Sequence, residues 1–266
     1  RDVLGSRGLG DVYKRQDKDV LSFAIASEIA AGRGTEHGGV AFDASGVGRE
    51  RLEEAYSAYV KRYRAVGMDI AEQAMEIAPA AHTSLGGVYA RPDCSTSAEG
   101  LFVCGETLGG LHGANRIGGN AGLETMVFGR RAGCSAAAYM DTLSGEPADC
   151  TDEISDAAAT VNIDALRAEL TKIVGGALGV IREAGKLEQA KTELERMLEQ
   201  IPESGCYAQQ RLRNDTLTAY AVTLAALERK TSTGCHVRTD SAGEPEKYRV
   251  NIRCENGRAV PRRAEI

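Results

Sequence analysis

A glycine-rich segment around Arg116 carries the residues of this 266-residue chain that are best suited to chemistry. Residues 111–121 read Leu-His-Gly-Ala-Asn-Arg-Ile-Gly-Gly-Asn-Ala, and an apolar run that predicts a helix begins near Leu123. Glycine lets the backbone approach a ligand closely, and the free N–H groups at a helix start favour electron-rich groups. Arg116 adds a planar cation that suits a carboxylate. The segment therefore predicts a loop that holds a polar cofactor edge and an anionic substrate side by side.

Two further segments precede this loop. Residues 80–88 read Ala-Ala-His-Thr-Ser-Leu-Gly-Gly-Val, and residues 100–106 read Gly-Leu-Phe-Val-Cys-Gly-Glu. In this order, the three segments resemble motifs of the succinate dehydrogenase/fumarate reductase flavoprotein family, which L-aspartate oxidase shares. Three motifs in the right order are a more specific signal than a lone glycine pattern.

The resemblance implies a role for two basic residues. His82 and Arg116 match the family's residues that bind the carboxylates of the substrate. Without the resemblance, His82 would be a loop histidine that caps local backbone, and Arg116 would be a surface arginine. With it, both are candidate catalytic residues.

The resemblance also implies which residues bind FAD. Glu106, preceded by Gly105, matches a glutamate that contacts the cofactor. Backbone N–H groups of Ala121 and Gly122, next to Asn120, are expected to face the pyrimidine carbonyls of the flavin. The positive end of a helix would there stabilise the reduced, anionic flavin.

The proton donor is expected at the start of the first helix. The family's catalytic arginine opens an Arg-Asp-Val-Val/Leu-Ser-x-Ala-Ile segment. Residues 19–25 match this pattern, and Lys18 occupies the place of the arginine. Lysine can donate a proton but lacks the planar fork of arginine. Lys18 is therefore a third candidate catalytic residue, with a shifted alignment or a sequence junction as the alternatives.

Three other residues of similar type are expected to be structural. His112 belongs to the glycine-rich loop and is expected to support it. His236 and Arg238 lie in a segment that resembles the family's closing Arg-Gly-Ala-His-x-Arg-x-Asp motif, although Thr233 replaces its first arginine. We expect them to pack the C-terminal domain near the flavin domain.

Composition excludes several other classes of function. The net charge of −6 gives no electrostatic basis for binding nucleic acid or an anionic membrane. No apolar window reaches the length of a membrane span, and no signal peptide is evident. The seven cysteines are odd in number and form no Cys-x-x-Cys pair, which favours reduced thiols and no metal site. We expect a cytoplasmic protein, or one held at the inner membrane face by a partner subunit.

Periodicity and resemblance together predict an α/β plus all-α fold. A partial FAD-binding, Rossmann-like domain with a remnant of the capping domain is followed by a C-terminal three-helix bundle. The predicted parts are a non-native leader (1–16), the end of the capping domain (17–75), the C-terminal part of the FAD-binding domain (76–143), the helical domain (157–240) and an irregular tail (241–266).

Hydrophobic spacing places the elements within these parts. Helices are predicted over 19–31, 49–66 and 123–140, and strands over 38–43, 74–80, 86–91 and 101–104, the last as a buried apolar strand. The bundle is predicted from three apolar stripes: Leu166, Leu170, Ile173, Val174 and Ala177; Leu187, Ala190, Leu194, Leu198 and Ile201; Leu217, Tyr220, Ala221, Leu224 and Leu227.

The resemblance implies an FAD-dependent oxidoreductase that interconverts fumarate and succinate, or a similar dicarboxylate, by hydride transfer with flavin N5. An iron–sulfur subunit is the expected electron partner. One alternative is amino-acid oxidation of the L-aspartate oxidase type. Another is a truncated, inactive product, because no Gly-x-Gly-x-x-Gly turn follows a strand near the start of the chain. On that ground we expect the isolated chain to bind FAD weakly.

Overall fold

The computed structural model describes residues 18–145, 158–240, 243 and 247–265. The chain divides into two compact units, residues 1–81 and residues 82–266. The predicted leader, residues 1–16, lies outside the described residues, as do residues 146–157 and part of the predicted tail.

The first unit contains two helices and one antiparallel strand pair among its described residues. Helix α1 (Lys18–Glu28) runs into a π-helical turn (Ile29–Arg33), and helix α2 spans Arg49–Ala65. Strand β1 (Val40–Phe42) pairs with β2 (Met75–Ile77). These elements occupy the ranges predicted from the sequence. Helix α2, strand β2 and the segments next to them share a small apolar core of Ala44, Leu52, Val60, Ile70 and Met75.

The second unit opens with a long loop that ends in helix α3 (Asn120–Met140). The strands predicted over 86–91 and 101–104 are wrong, because each makes only one isolated bridge, Val88 with Leu108 and Ser95 with Phe102. A strand needs a continuous ladder of bonds to a neighbour. Residues 101–103 instead fold back through a tight turn onto residues 94–96, and the Leu101 side chain is 52% exposed.

Three helices follow and share one apolar core: α4 (Ile163–Ala177), α5 (Ala184–Gln200) and α6 (Tyr207–Glu228). The Asn162 side chain caps α4 by accepting the N–H of Ala165 at 3.1 Å. The first two predicted stripes face this core, with Met197 buried in the second where Leu198 was expected.

The third predicted stripe is partly right, because Leu224 is buried and Tyr220 and Leu227 pack against the core. Leu217 is 42% exposed, whereas Thr216 and Thr223 are fully buried. The hydroxyl of Thr216 donates to the carbonyl of Leu212 at 2.8 Å, and that of Thr223 to Ala219 at 2.8 Å. Because each polar atom is satisfied inside the helix, these small side chains can face the core.

Two short sheets close the second unit. Strand β3 (Ile181–Arg182) pairs in parallel with β4 (Val237–Arg238), and β5 (Tyr248–Glu255) forms an antiparallel hairpin with β6 (Arg258–Glu265). The prediction of an irregular tail over 241–266 is therefore wrong for its described part. Asn256 and Gly257, with φ of 52° and 75°, make the two-residue turn that hairpins favour. Within the described residues, no helix combines the length and apolar character needed to cross a membrane.

Candidate functional site

A small pocket in the second unit gathers residues of all three sequence motifs. The first motif contributes residues 83–85 and the second contributes Glu106. The other residues, apart from Leu108, come from the glycine-rich loop and helix α3. Its lining residues are Thr83, Ser84, Leu85, Glu106, Leu108, Leu111, His112, Arg116, Ala121, Glu124 and Thr125.

Gly87 explains how the first two motifs come together. The backbone N–H of Val88 donates to the carbonyl of Thr107 at 2.7 Å, and the N–H of Gly109 donates to the carbonyl of Val88 at 3.0 Å. A Cβ atom on Gly87 would lie 2.1 Å from the Thr107 oxygen. The backbones can therefore cross at this distance only because the position has no side chain.

Glu106 lies at the rim of the pocket, where the second motif ends. Its carboxylate accepts the backbone N–H of Ser84 at 2.8 Å. This bond lowers the pKa of Glu106, and the Thr83 side chain and the electrostatic interactions with Arg116 and His82 lower it further. Glu106 is therefore an ionised carboxylate within electrostatic reach of both basic residues that the sequence predicts for substrate binding.

Arg116 is half-buried in the pocket wall, and its guanidinium is not fully satisfied. The Nε atom is buried and has no hydrogen-bond partner among the described residues. A buried donor left unpaired costs about 1–3 kcal/mol, which an incoming acceptor would recover. A carboxylate is the acceptor that matches a guanidinium, because two parallel bonds can form.

His112 and Glu124 form a pair at the wall of the pocket. The Nε2 atom of His112 is hydrogen-bonded to a carboxylate oxygen of Glu124, and their side chains are only 15% and 7% exposed. His112 supports the loop in this way, whereas the importance of Glu124 was missed from the sequence. A carboxylate in the small and apolar stretch 121–128 was the available signal.

The start of helix α3 forms the side of the pocket next to the loop. Gly119 adopts φ of 88°, and the helix begins at Asn120. Ala121 lines the pocket, while Asn120 and Gly122 are exposed at the same helix start. The open N–H groups and the partial positive charge of this helix end suit the electron-rich edge of a flavin.

His82, which is exposed, Gly105 and Lys18 are not among the lining residues of this pocket. Gly105 opens a 3-10 turn (Gly105–Thr107) with φ of 70° and places Glu106. Lys18 opens α1 in the first unit, and its catalytic role stays a prediction. His236 ends the turn that closes the helical domain, and Arg238 lies in strand β4, where it pairs with Asp240 at 2.8 Å.

Comparisons with known proteins agree with these motifs. Residues 7–121 match a family model described as an FAD binding domain, and residues 167–251 match one described as the fumarate reductase flavoprotein C-terminus. The first match begins inside the predicted leader. The second covers most of the helical domain.

Two curated relatives and one solved structure illustrate the similarity. A fumarate reductase (CoM/CoB) subunit of Methanothermobacter marburgensis is 36% identical over 258 residues, which cover 89% of this chain and 47% of that protein. L-aspartate oxidase of Rhodospirillum rubrum is 33% identical over 225 residues, which cover 84% of this chain and 76% of that protein. A chain of Mycobacterium smegmatis Sdh1, solved in complex with UQ1, superposes with a TM-score of 0.77 at 28% identity. The superposition covers 98% of this chain and 49% of the mycobacterial chain. The chain thus spans about half the length of the methanogen protein and of the mycobacterial chain.

Proposed function

Since this chain belongs to the succinate dehydrogenase/fumarate reductase family of FAD-binding flavoproteins, to which L-aspartate oxidases are related, we propose that it supplies the carboxylate-binding wall of such an enzyme's active site. The proposed reaction interconverts fumarate and succinate, or a similar dicarboxylate. FAD is the cofactor, and the pocket under Arg116 is the proposed meeting point of cofactor and substrate.

Arg116 is the residue on which this proposal mainly rests. Its buried, unpaired Nε lies in the same pocket as the start of helix α3. The arginine would bind one carboxylate and fix the orientation of the substrate's C2–C3 bond. His82, which interacts electrostatically with Glu106 as Arg116 does, would hold the second carboxylate.

The residues present fit a bound flavin at its ring end. Bound FAD would supply or accept hydride at N5. The N–H groups at the start of α3, next to Ala121, would bind the pyrimidine edge, and the Glu106 carboxylate would accept hydrogen bonds from hydroxyl groups of the cofactor. These contacts would orient the cofactor and leave the substrate carboxylates to the two basic residues.

The proton and electron routes extend this proposal. Lys18 would donate the proton, because it stands where the family has its catalytic arginine. An iron–sulfur subunit would exchange electrons with the flavin. The methanogen relative, which its name describes as a subunit, supports the idea of a multi-subunit enzyme.

A second candidate function is oxidation of L-aspartate. It is favoured by the Rhodospirillum rubrum relative, of which this chain covers 76%. Aspartate is also a four-carbon dicarboxylate, so Arg116 and His82 would bind it in the same way. The two functions therefore differ in the preferred ligand rather than in the carboxylate-binding residues.

A ligand titration of the full chain tests the proposal. We would purify the chain, add FAD, and measure binding of fumarate, succinate and L-aspartate by calorimetry, with butyrate as a monocarboxylate control. Arg116→Gln should weaken dicarboxylate binding by about tenfold or more, because a charge-assisted bond contributes about 1.5–3 kcal/mol. Arg130→Gln, an exposed arginine on α3, is the matched control and should bind as the wild type does.

The ligand preference separates the two functions. Preference for fumarate or succinate supports the first, and preference for L-aspartate supports the second. Equal affinity of the wild type and Arg116→Gln for every dicarboxylate would remove Arg116 from the site and overturn the proposal.

A further inference from the structure

The turn at residues 233–236, which closes the helical domain, contacts the glycine-rich loop two residues before Arg116. The backbone N–H of Cys235 donates to the carbonyl of Ala114 at 2.9 Å. The thiol of Cys235 also lies 3.5 Å from the side-chain oxygen of Asn115. Two adjacent positions of the loop are thus held by one residue that follows them by more than a hundred residues.

Gly234 makes this contact sterically possible. Its φ of 52° lies in the left-handed region, and a Cβ atom there would be 2.4 Å from the carbonyl oxygen of Ala114. The position is therefore restricted twice, by backbone conformation and by space. Even one methyl group would push the turn and the loop apart.

The turn is itself firmly anchored to the helical domain. Thr233 and His236 exchange two backbone hydrogen bonds, of 2.9 and 3.0 Å. The His236 ring is buried, with Nδ1 3.0 Å from the Arg182 guanidinium and Nε2 3.0 Å from the Arg229 carbonyl. Arginine can only donate, so Nδ1 accepts and the Nε2–H donates to the carbonyl.

From these contacts we propose that Gly234 and Cys235 are positioning residues for Arg116. The loop contains glycines at 113, 118 and 119, so it would lose much backbone freedom when a ligand orders it. A turn that fixes Ala114 and Asn115 in advance removes part of that cost. We call the contact of Gly234 and Cys235 with Ala114 and Asn115 the brace. The identity of the ligand rests on the proposed function, whereas the brace is independent of it.

Substitution at Gly234, compared with a matched glycine, tests the brace in the full chain. Gly234→Ala should weaken fumarate binding by about tenfold, because a small misplacement of a positioning group is costly. Gly257→Ala is the control: Gly257 also has positive φ, 75°, but a Cβ there meets nothing within 4 Å. It should bind fumarate as the wild type does.

A second pair of variants separates the backbone bond from the thiol. Cys235→Pro removes the N–H that donates to Ala114, and Cys235→Ala retains it. We expect the proline variant to lose more affinity than the alanine variant. Equal losses in the two variants would show that the backbone bond does not position the loop.

Two NMR measurements keep the brace testable without fumarate. The Nε–Hε signal of Arg116 should shift in Gly234→Ala and stay in place in Gly257→Ala. In the wild type, the Cys235 amide should exchange with solvent more slowly than in an unstructured peptide of the same sequence. An unshifted Arg116 signal, or exchange at the peptide rate, overturns the brace.

These readouts also separate the two proposals. A wild-type chain that binds no dicarboxylate, but whose Arg116 signal responds to Gly234→Ala, would reject the proposed function and keep the brace. A chain that binds fumarate equally well with and without Gly234 would reject the brace alone.

Discussion

The carboxylate of Glu106 accepts the backbone N–H of Ser84 at 2.8 Å, across 22 residues of sequence. This bond joins the histidine-containing motif to the segment 100–106, which we propose contacts the cofactor. The Thr83 side chain also hydrogen-bonds to this carboxylate, which lines the pocket. Glu106 therefore links two segments of the pocket and also places a negative charge in its lining.

Gly87 and Gly86 should respond very differently to the same substitution. Gly87→Ala should lower the free energy of unfolding by about 1–3 kcal/mol or more, because a Cβ there overlaps the Thr107 carbonyl. Gly86→Ala should change it little, since a Cβ at Gly86 meets nothing within 4 Å. Urea denaturation of both variants measures the difference. Equal stabilities would mean that the crossing at Gly87 can open at no cost.

Glu124 should matter for stability through its partner. Glu124→Leu leaves the Nε2 of half-buried His112 without its acceptor, so the free energy of unfolding should fall by about 1–3 kcal/mol. Glu124→Gln keeps an acceptor oxygen and should cost less. The comparison can be made by thermal or urea unfolding. A leucine variant as stable as the wild type would show that the pair contributes nothing to the fold.

His236 should make the helical domain sensitive to mild acid. Burial lowers the pKa of His236 to about 4, and the charges of Arg182, Arg238 and Arg229 act in the same direction. An unfolded histidine titrates near pH 6.5, so between about pH 6.5 and 4 the unfolded state binds the proton and the folded state does not.

The contribution of His236 to the free energy of unfolding should therefore be fully present above about pH 6.5. It should fall by up to about 3 kcal/mol as the pH falls towards 4. His236→Asn removes the titrating group and serves as the reference. Denaturant unfolding at a series of pH values measures the difference between the two proteins. If the free energies of unfolding of the wild type and His236→Asn change in parallel over this pH range, His236 is not a buried neutral histidine.

Thr216 offers a test of the core face of α6. Thr216→Val should leave the free energy of unfolding within about 1 kcal/mol of the wild type, because the hydroxyl bonds only within its own helix. Leu217→Ser, on the exposed side, should also have little effect. Substitution of buried Leu212 by alanine should cost about 2–5 kcal/mol. If Leu217→Ser is the most damaging of the three, the assignment of the buried face is reversed.

Local chemistry made part of this molecule predictable from its sequence. The helix beside the glycine-rich loop lies where its apolar run predicted, whereas the ligand-binding role of Arg116 stays a prediction. The pairing of Glu124 with His112 was not predictable, since it depends on how the loop folds back over the helix. The apolar pattern of α6 does not predict that Thr216 and Thr223 are buried, because their hydroxyl groups are satisfied within the helix.

The strand segments show a different limit. Residues 101–104 have a strand-like composition, but a strand also requires a neighbour, which periodicity cannot supply. The hairpin at the C-terminal end was missed although Asn256-Gly257 is a strong turn signal. The polar composition of residues 241–266 favours an irregular tail, whereas the Asn256-Gly257 pair favours the hairpin that is present.

The contact between Cys235 and Asn115 spans 120 residues, and this separation sets an order of events during synthesis. The ribosome adds about 5–20 residues per second, so the loop exists for roughly 6–24 seconds before its brace has been made. Residues 82–140 can fold during that time, but the loop that carries Arg116 acquires its brace only after the last helix has left the ribosome. A nascent chain stalled before Gly234 would therefore have every residue of the pocket and still lack its final geometry.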